Sequence, residues 1–397
     1  MTQPTDVPLE DALAEHRRHR RHQLERLLGV PFIARNRIER LRNGDAIFAA
    51  MLEAIGRAEH TVDFLTFNFW GGPTAERFVD AFVERAQAGV TVRVLLDTFG
   101  AWAIPRALVR QMRAGGVDVA WFRPPRPWHP YRMTRRTHRK VLVVDNRVAF
   151  TGGVGIGEPW AGDARGPNEW RDSHFRLDGP AVAGVEGAFW GNWLETRDEG
   201  VTRVSARPPP EPAGDAAVMV VRPQASVGWN DASSLLWGLC EVAERRLAIT
   251  TPYFAPDVAT RRALKNAAAR GVDVNILMPG PYLDSSLSVV AAHEAQTRLV
   301  DLGVRLWEYQ PTMIHLKQIL VDDDLLGIGS VNLNERSRRR DDEIALLVED
   351  TELAATLWDD FFVDVADSGE VTASTLRARG WPRRLAAAAL RPFRHEV

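Results

Sequence analysis

Two stretches decide how this chain folds: Thr137-His138-Arg139-Lys140-Val141-Leu142-Val143-Val144-Asp145 and Ile314-His315-Leu316-Lys317-Gln318-Ile319-Leu320-Val321-Asp322. Both read His-x-Lys-x4-Asp, and both run on to a glycine, Gly152 and Gly329. At the chain's own frequencies of His, Lys and Asp, one such frame arises by chance roughly 0.005 times, so a pair marks a duplicated element. Lys140, Lys265 and Lys317 are the only lysines, while arginine is used nearly everywhere else. The two frames therefore call for a compact ammonium on a flexible stem and not for a planar guanidinium.

The sequence around each frame alternates helix and strand. Before the first, Ala46 to Arg57 reads as a helix, Thr61 to Phe67 as a strand, Ala75 to Gln87 as a helix and Val90 to Leu96 as a strand. A helix near Pro105 to Arg113, strands at Val117 to Phe122, Lys140 to Val144 and Trp170 to Leu177, and a helix from Ala181 to Thr196 complete that half. The proline-rich stretch Arg207-Pro208-Pro209-Pro210-Glu211-Pro212 can continue neither helix nor central strand and reads as a linker. The order then restarts: helix Asp231 to Arg245, strand Leu247 to Thr251, helix Asp257 to Arg270, strand Val272 to Met278, helix Ser285 to Leu302, strand Val304 to Trp307, then the second frame. Gly89-Val90-Thr91-Val92 and Gly271-Val272-Asp273-Val274 fall at equivalent junctions. The expectation is a duplicated α/β fold: residues 44–200 and 215–368 as two like domains, joined by a linker at 201–214 and flanked by a basic segment at 1–43 and a basic tail at 369–397. Two mixed sheets with flanking helices would present both frames at one interface.

With 397 residues, 45% hydrophobic and 26% charged, the chain can bury a sizeable core. A net charge of −2 argues against bulk coating of nucleic acid. The single cysteine, Cys240, excludes an internal disulfide framework and a cysteine-rich zinc site, and its apolar neighbours suit a buried structural thiol. No run of about 18 apolar residues is present, so contact with lipid would be peripheral. Glu10 to Arg42 interleaves Arg and His with Leu24, Leu27, Leu28, Ile33, Ile38 and Leu41. It reads either as a basic amphipathic helix lying on anionic lipid, broken near Gly29 and Pro31, or as a solvated helix packed on the domain. Trp121, Phe122, Trp128 and Tyr131, set among Arg and Pro before the first frame, suit a lip at a membrane surface or a stacking platform for single-stranded nucleic acid.

Within a strand, His and Lys two apart share a face and address one ligand. A neutral imidazole is a competent nucleophile near pH 7, and the neighbouring ammonium neutralises an anionic oxygen as charge develops. Phosphorus is the natural electrophile for that pairing. Two histidines supply a two-step transfer: one attacks, the other protonates the departing alcohol and then activates the acceptor.

His138-Lys140-Asp145 and His315-Lys317-Asp322, with Gly329-Ser330-Val331-Asn332 after the second, resemble the paired signatures of the phospholipase D superfamily. Trp170-Arg171-Asp172, Gly179-Pro180-Ala181-Val182, Thr251-Pro252-Tyr253-Phe254-Ala255-Pro256-Asp257 and Arg336-Ser337 are similar, more narrowly, to bacterial cardiolipin synthases. The resemblance spans about Gly44 to Asp367. It implies one active site between the halves, a phosphohistidine intermediate and neither metal nor other cofactor. His138 would be the nucleophile and His315 the acid/base; Lys140, Lys317 and Asn332, with Ser330, would hold phosphate oxygens. Asp172 and Glu343 would each orient a histidine. Asp145 and Asp322 complete the candidate catalytic set as architectural members. Gly153 and Gly155 depart from the pattern, standing where the family often has Ser or Gly and Asn, so the first half is expected to lack a phosphate-contacting amide. Asn334 and Asp341 stand where a cardiolipin synthase often shows Asp and Asn. The implied function is phosphatidyl transfer on an anionic phospholipid such as phosphatidylglycerol, by a cytoplasmic protein held peripherally on the inner face of the cell membrane. A phospholipase D or nuclease using water, and a non-catalytic membrane-binding module, are the alternatives.

Overall fold

A computed structural model describes residues 9–125, 133–197, 210–226, 230–283 and 296–378. The first half contributes β1 (Ile33–Arg42), β2 (Thr61–Thr66), β3 (Thr91–Asp97), β4 (Asp118–Phe122), β5 (Arg136–Thr137), β6 (Val141–Val144), β7 (Val148–Gly152) and β8 (Ser173–Asp178). The second contributes β9 (Ala216–Val221), β10 (Arg246–Thr250), β11 (Asp273–Pro279), β12 (Arg305–Tyr309), β13 (Gln318–Val321), β14 (Leu325–Gly329), β15 (Asp341–Asp342), β16 (Ala345–Glu349) and β17 (Ser368–Glu370).

The halves repeat one topology. In each, three strands run parallel (β2-β3-β4 and β10-β11-β12), and the frame strand lies antiparallel beside the first of them (β6 on β2, β13 on β10). The frame strand then turns back into an antiparallel neighbour, β7 or β14. The paired junction glycines Gly89 and Gly271 adopt matching left-handed conformations, φ 91° and 90°, that a side chain would strain. The two mixed sheets expected from the sequence are also joined edge to edge. β1 pairs with β8 on one side and, across a register shift, with β9 on the other, which makes a single sheet of 15 strands.

Helices Val182–Glu195 and Thr351–Ala366 lie in the core shared by the two halves. That core gathers Leu65, Leu95, Val141 and Val143 from the first sheet and Ala248, Leu277, Leu320 and Leu346 from the second around Phe189, Trp193, Leu357 and Trp358. Each half keeps a further core on its outer side. The frame strands are buried along their whole length, which is why their four residues are apolar or, at Gln318, enclosed.

The N-terminal segment resolves into two elements and corrects the reading of a helix running to Arg42. Leu9–Leu28 is helical, but Ile33–Arg42 is an interior strand, with Asn36 and Ile38 buried at the strand period of two. The helix is docked on the second half. Leu24 and Leu28 are buried beside Leu235 and Leu239, a burial worth on the order of 2 kcal/mol per leucine. Arg20 donates to Asp324 at 2.8 Å, Arg17 pairs with Asp324 at 2.8 Å, and Arg21 holds Glu349. These arginines face carboxylates of the same chain. No described helix is long and apolar enough to cross a membrane. Trp128, Tyr131, most of the linker, residues 285–295 of the expected Ser285 to Leu302 helix and the tail from 379 lie outside the described residues. Cys240 is buried, and burial pushes its thiol up to about 12, as suits a structural cysteine.

Candidate active site

Each frame ends the same way. Asp145 and Asp322 sit in tight turns with left-handed backbones, φ 54° and 49°. Asp145 accepts the N–H groups of Glu59, His60 and Thr61 at 2.8, 2.8 and 2.7 Å; Asp322 accepts those of Glu244, Arg245 and Arg246 at 3.2, 2.8 and 3.1 Å. Each carboxylate thus ties the far end of its frame strand to the start of the neighbouring strand. The length of strand separates it from its histidine, roughly 13 Å for the four residues alone. In both halves the carboxylate is engaged by the turn at the far end of the frame strand.

The near ends of the frames meet the opposite half. β5 pairs in parallel with β15, and the His138 N–H donates to the Asp342 carbonyl at 2.9 Å. Ile314 bridges Arg171 in parallel, and the His315 N–H donates to the Arg171 carbonyl at 2.8 Å. The residue after each of those carbonyls is the carboxylate. His138 Nδ1 lies 3.0 and 3.1 Å from the two Glu343 oxygens, and His315 Nδ1 lies 2.8 Å from Asp172 Oδ2. Each pair is therefore half from one domain and half from the other, so a single domain carries no complete pair. A carboxylate on Nδ1 fixes that nitrogen as the N–H and leaves Nε2 as the reactive atom. Lys140 and Lys317 donate to the carbonyls of their own histidines, at 2.9 and 2.6 Å.

Both histidines, both lysines and both carboxylates are buried. Burial, then the charges of Lys140 and Lys317, hold His138 well below the ordinary histidine range, and burial followed by the same lysines does so for His315. Burial lifts Glu343 to about 7 and Asp172 to about 6, and lowers Lys140 to about 7. Burial is the largest cause of each shift, and it holds both rings toward the neutral imidazole. An anion held beside Lys140 and Lys317 would offset their charges and raise the proton affinity of both rings. Among the described residues no three of His, Cys, Asp and Glu are grouped to hold a metal ion.

The surroundings of the two pairs differ. Glu343 accepts the hydroxyls of Ser330 and Ser337 in addition to His138. Ser330, expected to touch phosphate, is fully buried behind the carboxylate and holds it in place; its hydroxyl also accepts the Ile344 N–H at 3.0 Å. Gly153 is its counterpart, and a Cβ there would lie 2.4 Å from Asp172 Oδ1. The counterpart of Ser337 is Trp160. Its ring stands edge-on to His315 at 5.5 Å, with Trp170 at 5.2 Å and Tyr253 at 6.3 Å. The Trp160 indole nitrogen is 3.4 Å from His315 Nδ1, and the Lys317 ammonium is 3.0 Å from it. Asp172 is the closest partner and a full acceptor, so it sets the tautomer.

Asn332 is buried and its Oδ1 has no hydrogen-bond partner among the described residues, so the amide is open to a ligand in either flip. Asn334 caps the short helix Glu335–Arg339 through the Ser337 N–H at 2.9 Å, and Asp341 accepts Arg336 at 3.1 Å, so these departures serve local structure. The roles of Ser337 and Trp160 were not read from the sequence. They fall the same number of residues after Gly329 and Gly152, a signal that aligning the halves on their glycines exposes. His174 is a further buried histidine. It faces Asp172 and Lys140, its Nδ1 has no partner among the described residues, and burial lowers it to about 4.

Comparison with known proteins agrees with this geometry. Residues 51–159 and 239–364 match the family model described as "Cardiolipin synthase, PLD-like domain". Cardiolipin synthase A of Pseudomonas aeruginosa is 33% identical over 363 residues, covering 89% of this chain and 72% of that protein. Cardiolipin synthase 1 of Bacillus anthracis is 29% identical over 390 residues, 96% of this chain and 76% of that one. The crystal structure of phosphatidylserine synthase from Haemophilus influenzae shares the fold, with a TM-score of 0.67 at 15% identity over 95% of this chain and 100% of that chain. With both halves matched and a third of the residues shared across most of the chain, the protein belongs to the cardiolipin synthase family of phospholipase D-like proteins.

Proposed function

We propose that this protein is a phosphatidyltransferase of the cardiolipin synthase type that works through a phosphohistidine. The observation that carries the reading is the pair of His–carboxylate units, each shared between the halves, with two lysines among them. His138 Nε2 attacks the phosphorus of a phospholipid phosphodiester; a P–N bond forms and the P–O bond to the departing alcohol breaks. His315, which takes up a proton from solvent as the anionic phosphodiester binds, gives that oxygen the proton from Nε2. It then takes a proton from the acceptor alcohol, whose oxygen forms the new P–O bond as the P–N bond breaks. Lys140, Lys317 and Asn332 hold the phosphate oxygens as negative charge grows. The Asp172 carboxylate, 2.8 Å from Nδ1, favours the imidazolium form of His315, which suits the ring that carries the proton. Glu343, with two hydroxyl donors, suits the fixed orientation of the nucleophile.

Incubation with labelled phosphatidylglycerol vesicles tests the reading by product mass. Cardiolipin and glycerol are expected; phosphatidic acid alone would make the protein a hydrolase. The seat on the membrane is peripheral in this reading. Phe99, which packs under Arg136 at 4.8 Å, and Trp102, 80% exposed, stand on the loop after β3, and that loop accepts the Trp70 indole at Gly100. Trp70 in turn packs on Trp160 beside His315. Trp102→Ala is expected to lower co-sedimentation with anionic vesicles severalfold, and rising salt to weaken it in parallel.

A further inference from the structure

We propose that Asn68 supplies the first half with the phosphate-contacting amide that Gly155 lacks. This rests on the reading of Asn332 as a phosphate ligand in the second half. The two positions are brought together by matching loops. Phe69 bridges Ile156 in the first half as Phe254 bridges Leu333 in the second, so Gly155, just before Ile156, stands where Asn332 stands before Leu333. Thr66 Oγ1 donates to the Asn68 carbonyl at 3.1 Å as Thr251 Oγ1 donates to the Tyr253 carbonyl at 3.2 Å, so Asn68 is the counterpart of Tyr253. One half carries its amide on the loop after the antiparallel partner of the frame strand. The other carries an asparagine on the loop after the parallel strand β2.

Steric exclusion links the two substitutions. A Cβ at residue 155 would lie 2.7 Å from the Asn68 Cβ, a separation that real Cβ atoms essentially never show. A side chain at 68 therefore starts almost where a side chain at 155 would start, so in this half residue 155 gains a side chain only if one of the two loops shifts. Neighbours of the shared point reach both histidines. Phe67, the residue before Asn68, packs on the His138 ring at 5.2 Å and lies 5.7 Å from the Lys140 ammonium. Trp160, 3.2 Å from that same built Cβ, packs on His315. Asn68 is half-buried; its carbonyl accepts the Ile156 N–H at 3.0 Å, and its side-chain amide has no hydrogen-bond partner among the described residues. An amide there donates N–H to a phosphate oxygen without adding charge to a site that already holds two lysines.

Transplanting the amide tests this. With phosphatidylglycerol vesicles, Asn68→Ala and Asn332→Ala are each expected to lower kcat about a hundredfold, the cost of one donor to a developing oxyanion. Gly155→Asn alone is expected to fail, because Asn68 fills the space. Asn68→Gly combined with Gly155→Asn is expected to recover most of the activity lost in Asn68→Gly. Wild-type turnover in Asn68→Ala beside a deficient Asn332→Ala would overturn the assignment, as would a double variant no better than Asn68→Gly. A second measurement does not depend on phosphatidyl transfer: calorimetric binding of inorganic phosphate should weaken about tenfold in Asn68→Ala and in Asn68→Asp, which keeps the shape and removes the donor. Unchanged phosphate affinity in both would reject Asn68 as a ligand. Loss of transfer chemistry in the unmodified protein, with that affinity pattern intact, would instead reject the reading of the reaction.

Discussion

The first and second halves of this molecule agree in everything that shapes the strand frames and differ in what touches the carboxylates. Asp145 and Asp322 close the same turn with the same three kinds of N–H, and each histidine is stitched to the other half one residue before its partner. Around Glu343 stand the hydroxyls of Ser330 and Ser337; around Asp172 and His315 stand Gly153, Trp160, Trp170 and Tyr253. The likeness is what folding two domains onto one cleft requires. On the proposed mechanism the unlikeness matches two tasks. A nucleophile needs a fixed lone pair, which a locked carboxylate provides, whereas an acid/base must carry its proton through both steps, which the Asp172 carboxylate on Nδ1–H assists.

The sharpest way to break that comparison is to remove one histidine at a time. His138→Ala and His315→Ala are each expected to lower kcat by about 10⁴-fold or more while the protein stays folded. The two losses should differ in kind. His315→Ala should accumulate an acid-labile phosphoenzyme on His138, and His138→Ala should accumulate none. Label on residue 315 in His138→Ala would exchange the two tasks.

The likeness can be tested through stability. Asp145→Ala or Asp322→Ala leaves three backbone N–H groups without their charged acceptor and puts a side chain that tolerates left-handed φ poorly in its place. Each is expected to cost about 3 kcal/mol in urea unfolding, equivalent to roughly a hundredfold in the folding equilibrium, by similar amounts in the two halves. The folded fraction should keep its turnover per active site. A loss of kcat without a loss of stability would return these aspartates to the chemistry.

Much of this was legible in the chain because it rests on local chemistry. The paired frames point to a duplicated α/β fold, and β2, β3, β6, β10, β11 and β12 lie within a residue or two of the strands that alternation and apolar runs predict. His138 meets Glu343 and His315 meets Asp172 across the halves, with Lys140 and Lys317 each on the carbonyl of its own histidine. What escaped depended on pairing across long separations. β1 looks like basic helix because Arg35, Arg37 and Arg40 are spaced among apolar residues, and its strand state follows from β8 and β9 on either side, which no local pattern reveals. Ser330 sits in a motif that suggests a phosphate contact, yet its rotamer is set by Glu343 arriving from β15. The shared Cβ position of residues 68 and 155 is likewise a product of folding, since the two lie on different loops.

The smallest effect should come from the hydroxyls that make the two carboxylates unlike. Burial raises Glu343 to about 7, and the hydroxyl bonds from Ser330 and Ser337 act in the opposite direction by favouring the ionised form. The carboxylate is charged above its pKa and loses its charge as pH falls through about 7, and with it the acceptor that holds His138 Nδ1–H. Ser337→Ala removes one of those donors, so Glu343 must titrate higher. A hydrogen bond to a charged group worth about 1.5 kcal/mol corresponds to about one pH unit. The acid limb of the kcat profile is therefore expected to move upward by about one unit, with kcat at pH 7 falling roughly fivefold and recovering at higher pH. Trp160→Phe, the matching change in the first half, removes no hydrogen bond to Asp172 and should leave the acid limb in place. If both variants shifted the limb equally, or neither did, the carboxylate surroundings would not distinguish the two histidines.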